Sequence, residues 1–279
     1  MLAWTVTTMK VTTMRTKGQF SQGLLYATYG FWLLFFVMAP LALLLWQSLM
    51  SIDGHFTLSN YATFFTSGTY LTMAFNSVFY AALITLATLL ISYPTAYLIN
   101  QLKYKQFWLL LVILPTWINL LLKTYAFIGL LGHNGIINQG LAIFNIAPKQ
   151  LLFSDWSFML VAAYIEIPFM ILPIYNALAE IDPVLSAASQ DLGASRWQTL
   201  RRVIWPLSMP GVKSGVQAVF IPSLSLFMIT RLIGGNRVIT LGTAIEEHFL
   251  VTQNWQFGAT IGMVLILAMV ITMLLTREK

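Results

Sequence analysis

The sequence predicts an all-α, polytopic membrane protein with six transmembrane helices. Three observations lead there. Of 279 residues, 58% are hydrophobic and 9% charged, whereas a soluble domain carries about 25% charged residues. These ionic groups are too few to cover a water-facing globule. Mean hydropathy is +0.77, and 14% of residues are aromatic, a composition that collapses or inserts rather than staying disordered. The apolar residues also gather in long Leu-rich runs without strand-like alternation. In lipid, where the backbone finds no water partners, such runs satisfy their hydrogen bonds as helices.

A span needs about 20 apolar residues, and six runs qualify. The first lies in the uncharged stretch from Phe20 to Ile52, with Leu24–Gln47 as its membrane part. It is too long for a cleaved signal peptide. The next are Ala74–Leu98; Phe107–Leu131, with Lys123 inside; and Trp156–Leu178, with Glu166 inside. Leu207–Ile233, with Arg231 near its end, and Trp255–Leu275 complete the set. Residues 1–23 read as a polar cytoplasmic tail carrying Lys10, Arg15 and Lys17, and 24–279 as one transmembrane domain.

The basic residues set the orientation. With both termini inside the cell, the inner segments hold Lys10, Arg15, Lys17, Lys103, Lys105, Arg196, Arg201, Arg202, Lys213, Arg277 and Lys279, eleven of the 15 Lys and Arg. Excess Lys and Arg mark the cytoplasmic side, so cytoplasmic termini are expected. The net charge of +6 is spent on topology; no concentrated basic face points to nucleic acid.

Little in the chain suggests catalysis. It has no cysteine, and hence no disulfide framework or thiolate site. No G-x-x-x-x-G-K-S/T run cradles ATP and no H-E-x-x-H helix binds zinc; no G-x-S-x-G elbow presents a serine. His55, His133 and His248 fall on separate outer segments. No cofactor or metal is expected, which leaves a protein that moves a solute or assembles with partners.

The inner loop at about 180–206 carries its own helix punctuation. Asp182 can cap a helix with Pro183 at its first position. Val184, Ala187, Ala188 and Leu192 follow on one face. Gly193 suits the left-handed residue that ends a helix. Ser195 and Gln198 form a capping box for a second helix, along which Trp197, Leu200 and Ile204 share a side. Pro206 and Pro210 mark the return to the membrane. The spacing thus predicts two short amphipathic helices bent at Gly193. They either lie on lipid headgroups or dock a soluble partner, and the small residues Ala187, Ala188 and Ser189 suit docking.

Ala187-Ala-Ser-Gln-Asp-Leu-Gly193, followed thirteen residues later by Pro206, resembles the coupling loop of ATP-binding-cassette (ABC) importer permeases, which reads Glu-Ala-Ala, three residues, Gly, nine residues, Ile-x-Leu-Pro. Ala187 stands where that pattern has Glu, Val203 where it has Ile and Trp205 where it has Leu. Further stretches are similar to the spermidine/putrescine-importing members: Leu114-Pro-Thr-Trp-Ile-Asn119, Ile167-Pro-Phe-Met-Ile-Leu-Pro173, Trp205-Pro-Leu-Ser-Met-Pro-Gly211, Ile221-Pro-Ser-Leu-Ser-Leu-Phe227 and Leu232-Ile-Gly-Gly235.

The resemblance implies a type I ABC importer permease fold in the bacterial cytoplasmic membrane. It implies a second permease subunit, two cytoplasmic ATP-binding subunits that hydrolyse ATP, and an extracytoplasmic solute-binding protein. The expected ATPase-coupling residues are Ala187, Ala188, Ser189, Asp191, Gly193, Trp197 and Pro206. The expected cargo is a polyamine. Ferric ion, sulfate or an amino acid on the same scaffold, and a non-transport membrane scaffold, are the alternatives.

Glu166, Tyr164 and Trp117 are candidates for the substrate path. A carboxylate within a span faces the bundle interior, a partner or water, so Glu166 either attracts a cationic amine or pairs with Lys123. The aromatics either hold the amine by cation–π contact or pack as ordinary membrane residues. Gly211-x-x-x-Gly215 and Gly258-x-x-x-Gly262 let helices approach closely, with packing inside the subunit as the favoured reading.

Overall fold

The computed structural model describes residue 26, residues 28–235 and residues 237–276. The expected N-terminal tail with Lys10, Arg15 and Lys17, and the C-terminal Arg277 and Lys279, lie outside the described residues. Within them every extended element is a helix.

Helix α1 (Thr28–Ser48) leads through an outer segment to the short α2 (Ser59–Thr66) and the long α3 (Gly68–Gln101). At 1.5 Å per residue, the 34 residues of α3 reach about 50 Å, well beyond a hydrocarbon core of ~30 Å. Helices α4 (Lys105–Ile113), α5 (Leu120–Leu131) and α6 (Ile136–Ile143) follow, then α7 (Asp155–Glu180) and α8 (Pro183–Asp191). Helix α9 (Arg196–Ser223) meets α10 (Phe227–Gly234) at a 55° bend. Helix α11 (Leu241–Glu246), a wide turn over Glu247–Val251 and α12 (Trp255–Thr276) complete the chain.

Among the described residues, five helical stretches are long and apolar enough to cross a membrane, and six if the bent pair α9–α10 is one span. Two expected spans need correction. The run Phe107–Leu131 is not one helix. Pro115 sits in a tight turn over Leu114–Trp117, Ile118 is extended at ψ 133°, and the Asn119 side chain caps α5 by accepting from the Leu121 N–H at 2.8 Å. The stretch that qualifies as a span is Leu120–Ile143. Hydropathy sees the apolar run; the proline and the cap decide where the helix starts. Nor does the fifth span begin at Leu207 or run unbroken to Ile233. Its helix starts at Arg196 and breaks after Pro222 and Ser223.

Pro206 and Pro210, expected to mark the return to the membrane, lie within the continuous helix α9. A π turn over Leu200–Ile204 widens the helix just before Pro206. The wider turn takes up the ring and the missing N–H, which would otherwise clash with the preceding turn. The same device precedes Pro40, after a π turn at Leu34–Met38.

Helix α7 is the hub, packed between α3 and α9. Its buried side chains include Phe158, Val161, Ile165, Met170, Ile171 and Ile174. Small residues set the α7–α9 distance. A Cβ at Gly211 would lie 2.5 Å from both Ala177 Cβ and the Pro173 carbonyl oxygen, and one at Gly215 would lie 2.7 Å from Met170 Sδ. Gly258 is closed by the Phe249 ring and Gly262 faces Leu44 at an ordinary 3.5 Å. All four glycines therefore serve contacts within the chain, as expected. The buried Tyr93 and Ser208 hydroxyls hydrogen-bond at 2.9 Å between α3 and α9, and Asn100 donates to the Leu178 carbonyl at 3.0 Å between α3 and α7. A smaller core of Phe64, Leu224, Leu241, Phe257 and Ile261 gathers α2, α11 and α12. Large apolar side chains such as Phe35, Leu43, Phe79, Leu90, Leu267 and Leu274 are exposed, as fits a solvent of lipid.

Candidate coupling elbow and membrane path

The inner loop folds as its local chemistry dictates. The Asp182 carboxylate accepts from the Val184 N–H at 2.9 Å, with Pro183 opening α8. The helix closes through Leu192 N–H to Ala188 C=O and Gly193 N–H to Gln190 C=O. Gly193 takes φ +87° with nothing within 4 Å of a notional Cβ. Glycine is thus required there by backbone conformation and not by crowding. Ser195 then opens α9 with a reciprocal capping box: Gln198 Oε1 accepts from Ser195 N–H at 2.9 Å, and Ser195 Oγ accepts from Gln198 N–H at 3.3 Å.

The second arm of this elbow is not a separate amphipathic helix but the first turns of α9, which runs on into the bundle. The hydroxyls of Ser189 and Thr199 close the elbow at 3.1 Å. Thr199, which is buried, was not among the expected coupling residues; its signal was its place one turn after the cap, facing the small residues of α8.

No residue of α8 is buried. Leu192 at the bend is 90% exposed, Trp197 is 69% exposed, and Val184 also faces outward. Trp197 does not share the packed side of Leu200 and Ile204: Ile204 is buried and Leu200 packs on the core. Apolar groups this open at the end of a rigid helix are suited to a soluble protein's cleft or to headgroups. Ala187, Ala188 and Asp191 are exposed on α8, and Pro206 lies two residues past the π turn of α9.

The three path candidates are dispersed. Glu166 is 5% exposed, inside the α7 bundle face. Lys123 is the charge that acts on it electrostatically, without an ion pair within 4 Å among the described residues. Tyr164, two residues earlier and so on another side of the helix, packs edge-on against Phe127 with centroids 5.0 Å apart. It lines an apolar cavity of 580 Å³ with Leu86, Met159 and Ile167. Trp117 is 78% exposed on the turn before α5.

Two polar contacts of the outer segment escaped sequence reasoning, because both join residues distant in sequence. Arg231 on α10 pairs with Glu246 on α11 at 2.6 Å, bordering a cavity of 410 Å³ with Met73 and Glu247. His248 bonds the Tyr70 hydroxyl at 3.0 Å. Burial pushes the His248 imidazole below its ordinary pKa, an effect the nearby Glu247 carboxylate opposes.

Residues 66–277 match the family described as binding-protein-dependent transport system inner membrane component. A spermidine/putrescine transport system permease protein, PotB, of Haemophilus influenzae is 36% identical over 252 residues, covering 86% of this chain and 88% of that protein. The PotB of Escherichia coli K12 is 33% identical over 248 residues, covering 85% and 90%. In fold, a crystal structure of a bacterial ABC transporter involved in the import of the acidic polysaccharide alginate superimposes with a TM-score of 0.79 at 19% identity, covering 94% of this chain and 96% of that one.

Proposed function

Since the chain belongs to the family of binding-protein-dependent transport system inner membrane components, we propose that it is the permease subunit through which an ATP-driven importer passes the polyamines spermidine and putrescine. The cargo reading rests on one observation: the relatives named for spermidine and putrescine align along most of the chain, at up to 36% identity. The fold alone carries no cargo, because a transporter of anionic alginate shares it.

In this reading the chain pairs with a second permease in the bacterial cytoplasmic membrane, with both termini inside. Two ATP-binding subunits sit below, and a solute-binding protein delivers cargo outside. The outer segments, such as 144–154 between the third and fourth spans, are too short to fold as a receptor themselves. The elbow formed by Ala187, Ala188, Ser189, Asp191, Gly193 and Trp197 seats in the ATPase. Closure of the ATPase pair moves α9 through the stiff stretch that carries Pro206, and the close contacts at Gly211 and Gly215 hand that motion to α7. The chain needs no nucleotide motif of its own for this.

Of the expected path residues, Glu166 has the placement that best suits a role: a carboxylate kept inside the bundle where a passing ammonium replaces water as its counterion. Tyr164 and Trp117 fit packing at the lipid boundary better.

The deciding experiment is uptake of labelled spermidine and putrescine by proteoliposomes holding the full complex. Uptake should require ATP and the binding protein, and unlabelled ferric ion, sulfate and amino acids should not compete. ATP-dependent uptake of one of these in labelled form, with no polyamine uptake, would reassign the cargo.

A further inference from the structure

A second polar cavity, of 430 Å³, lies beneath the elbow. Its walls are the inner ends of α3 and α7, the start of α4, and the inner face of α8 with the first turn of α9. Lys105 and Arg196 both line it, and no described carboxylate does. Two like charges facing one cavity repel unless something of opposite sign lies between them.

The hydrogen-bonding inventory sharpens this. Lys105 Nζ donates to Asn100 Oδ1 at 2.9 Å, which leaves two of its three N–H groups unspent. The Arg196 guanidinium makes no ion pair or hydrogen bond with the described residues, and neither do the side chains of Gln101, Ser186 and Gln190 in the same lining. The nearest acid in sequence, Asp182, lies outside the lining and spends one oxygen on its cap. A cavity with a planar guanidinium, an ammonium and several neutral donors matches a tetrahedral oxyanion, whose oxygens accept from Arg in pairs and from Lys singly.

We infer that this cavity binds a phosphate group, held between Lys105 and Arg196. Its position favours such a ligand. Asn100 and Leu178 mark the ends of two spans, so the cavity sits at headgroup depth on the side with the excess of basic residues. Basic pockets between helices at this level take phosphate-bearing lipid headgroups. The phosphate comes either from an anionic lipid of the inner leaflet or from free phosphate in the cytoplasm. Either one joins α4, α8 and α9 through a single ligand and so stiffens the elbow against the bundle. The inference does not depend on which solute is carried.

The test uses the purified full-length chain in phosphate-free maltoside micelles, with and without added phosphatidylglycerol, and separately with millimolar inorganic phosphate. At a free anion concentration ten times Kd, binding to the folded state alone shifts the folding equilibrium about elevenfold. That protection should vanish in a Lys105→Gln, Arg196→Gln double variant and persist in Lys103→Gln, an exposed neighbour outside the lining. Lys105 and Arg196 are exposed, so their loss leaves the packed bundle intact; Gln190→Glu, which places a carboxylate in the cavity, should abolish protection independently. Protection by phosphatidylglycerol identifies a lipid source, and protection by inorganic phosphate alone a soluble one. Protection by neither, or protection equal in wild type and both cavity variants, overturns the inference.

Discussion

Gly211→Ala is the sharpest test of how α9 is held. The added methyl carbon would sit 2.5 Å from Ala177 Cβ and from the Pro173 carbonyl oxygen, and 3.1 Å from Ile174 Cα. Ordinary contact begins near 3.4 Å, so the overlap approaches 1 Å on atoms fixed to the α7 backbone. No flexible side chain can yield; the two helices must separate. Overpacking of this kind costs about 1–3 kcal/mol, against which Ala gains about 1 kcal/mol of helix propensity. The net expectation is a loss of about 0–2 kcal/mol. Gly262→Ala is the internal control, because its Cβ would meet Leu44 Cδ2 at 3.5 Å. There a gain of about 0.4–1 kcal/mol is expected from the restricted unfolded chain. Unfolding by sodium dodecyl sulfate in mixed micelles, followed by tryptophan fluorescence, reads both variants on one scale. If Gly211→Ala proves as stable as Gly262→Ala, the close crossing of α7 and α9 is not what spaces the bundle.

Other expectations follow from single residues. Gly193→Val should strain a backbone at φ +87° by about 1–2 kcal/mol while leaving the core intact; ATP hydrolysis should persist in the assembled complex as uptake per ATP falls, and unchanged coupling would remove the bend from the transmission path. Glu166→Gln should raise the KM for spermidine about tenfold at equal membrane abundance, the equivalent of ~1.4 kcal/mol, and an unaltered KM would leave Glu166 with only its Lys123 interaction. His248 holds its imidazole neutral in the fold, below the ordinary value of 6.5, so the unfolded chain takes up the proton first as pH falls. The stability this residue contributes is therefore complete above about 6.5 and declines as pH drops from there towards the folded-state pKa. His248→Gln should flatten that part of the stability profile, and a profile identical to wild type would show that burial of the imidazole does not resist protonation.

What the sequence revealed about this fold tracks the range of the interaction concerned. Asp182, Gly193 and the Ser195–Gln198 box were legible because a cap is decided within four residues, and each appears in the structure with its expected bond or dihedral. The third span was misplaced because a hydropathy window sums side chains and ignores φ; Pro115 and Asn119 were in plain view but carry no weight in such a sum. The fifth span shows the opposite error, in which one continuous helix was divided into a short loop helix and a span starting at Leu207. The widened turn at Leu200–Ile204 costs one poorly aligned stretch of hydrogen bonds and keeps the helix continuous.

That continuity has a mechanical consequence. Had Pro206 broken the helix, the elbow would hang from a hinge and its displacement would be lost as bending. With α9 continuous from Arg196 to Ser223, the next compliant point is the 55° bend after Ser223, on the far side of the α7 contact. Motion at the elbow must then appear as a shift of α9 along Pro173, Ile174 and Met170 before it can reach α10. A spin-label pair reporting the α7–α9 distance should consequently respond to nucleotide in the assembled transporter no later than a pair reporting α10 against α11. If the α10–α11 pair moves first, α9 is not the route.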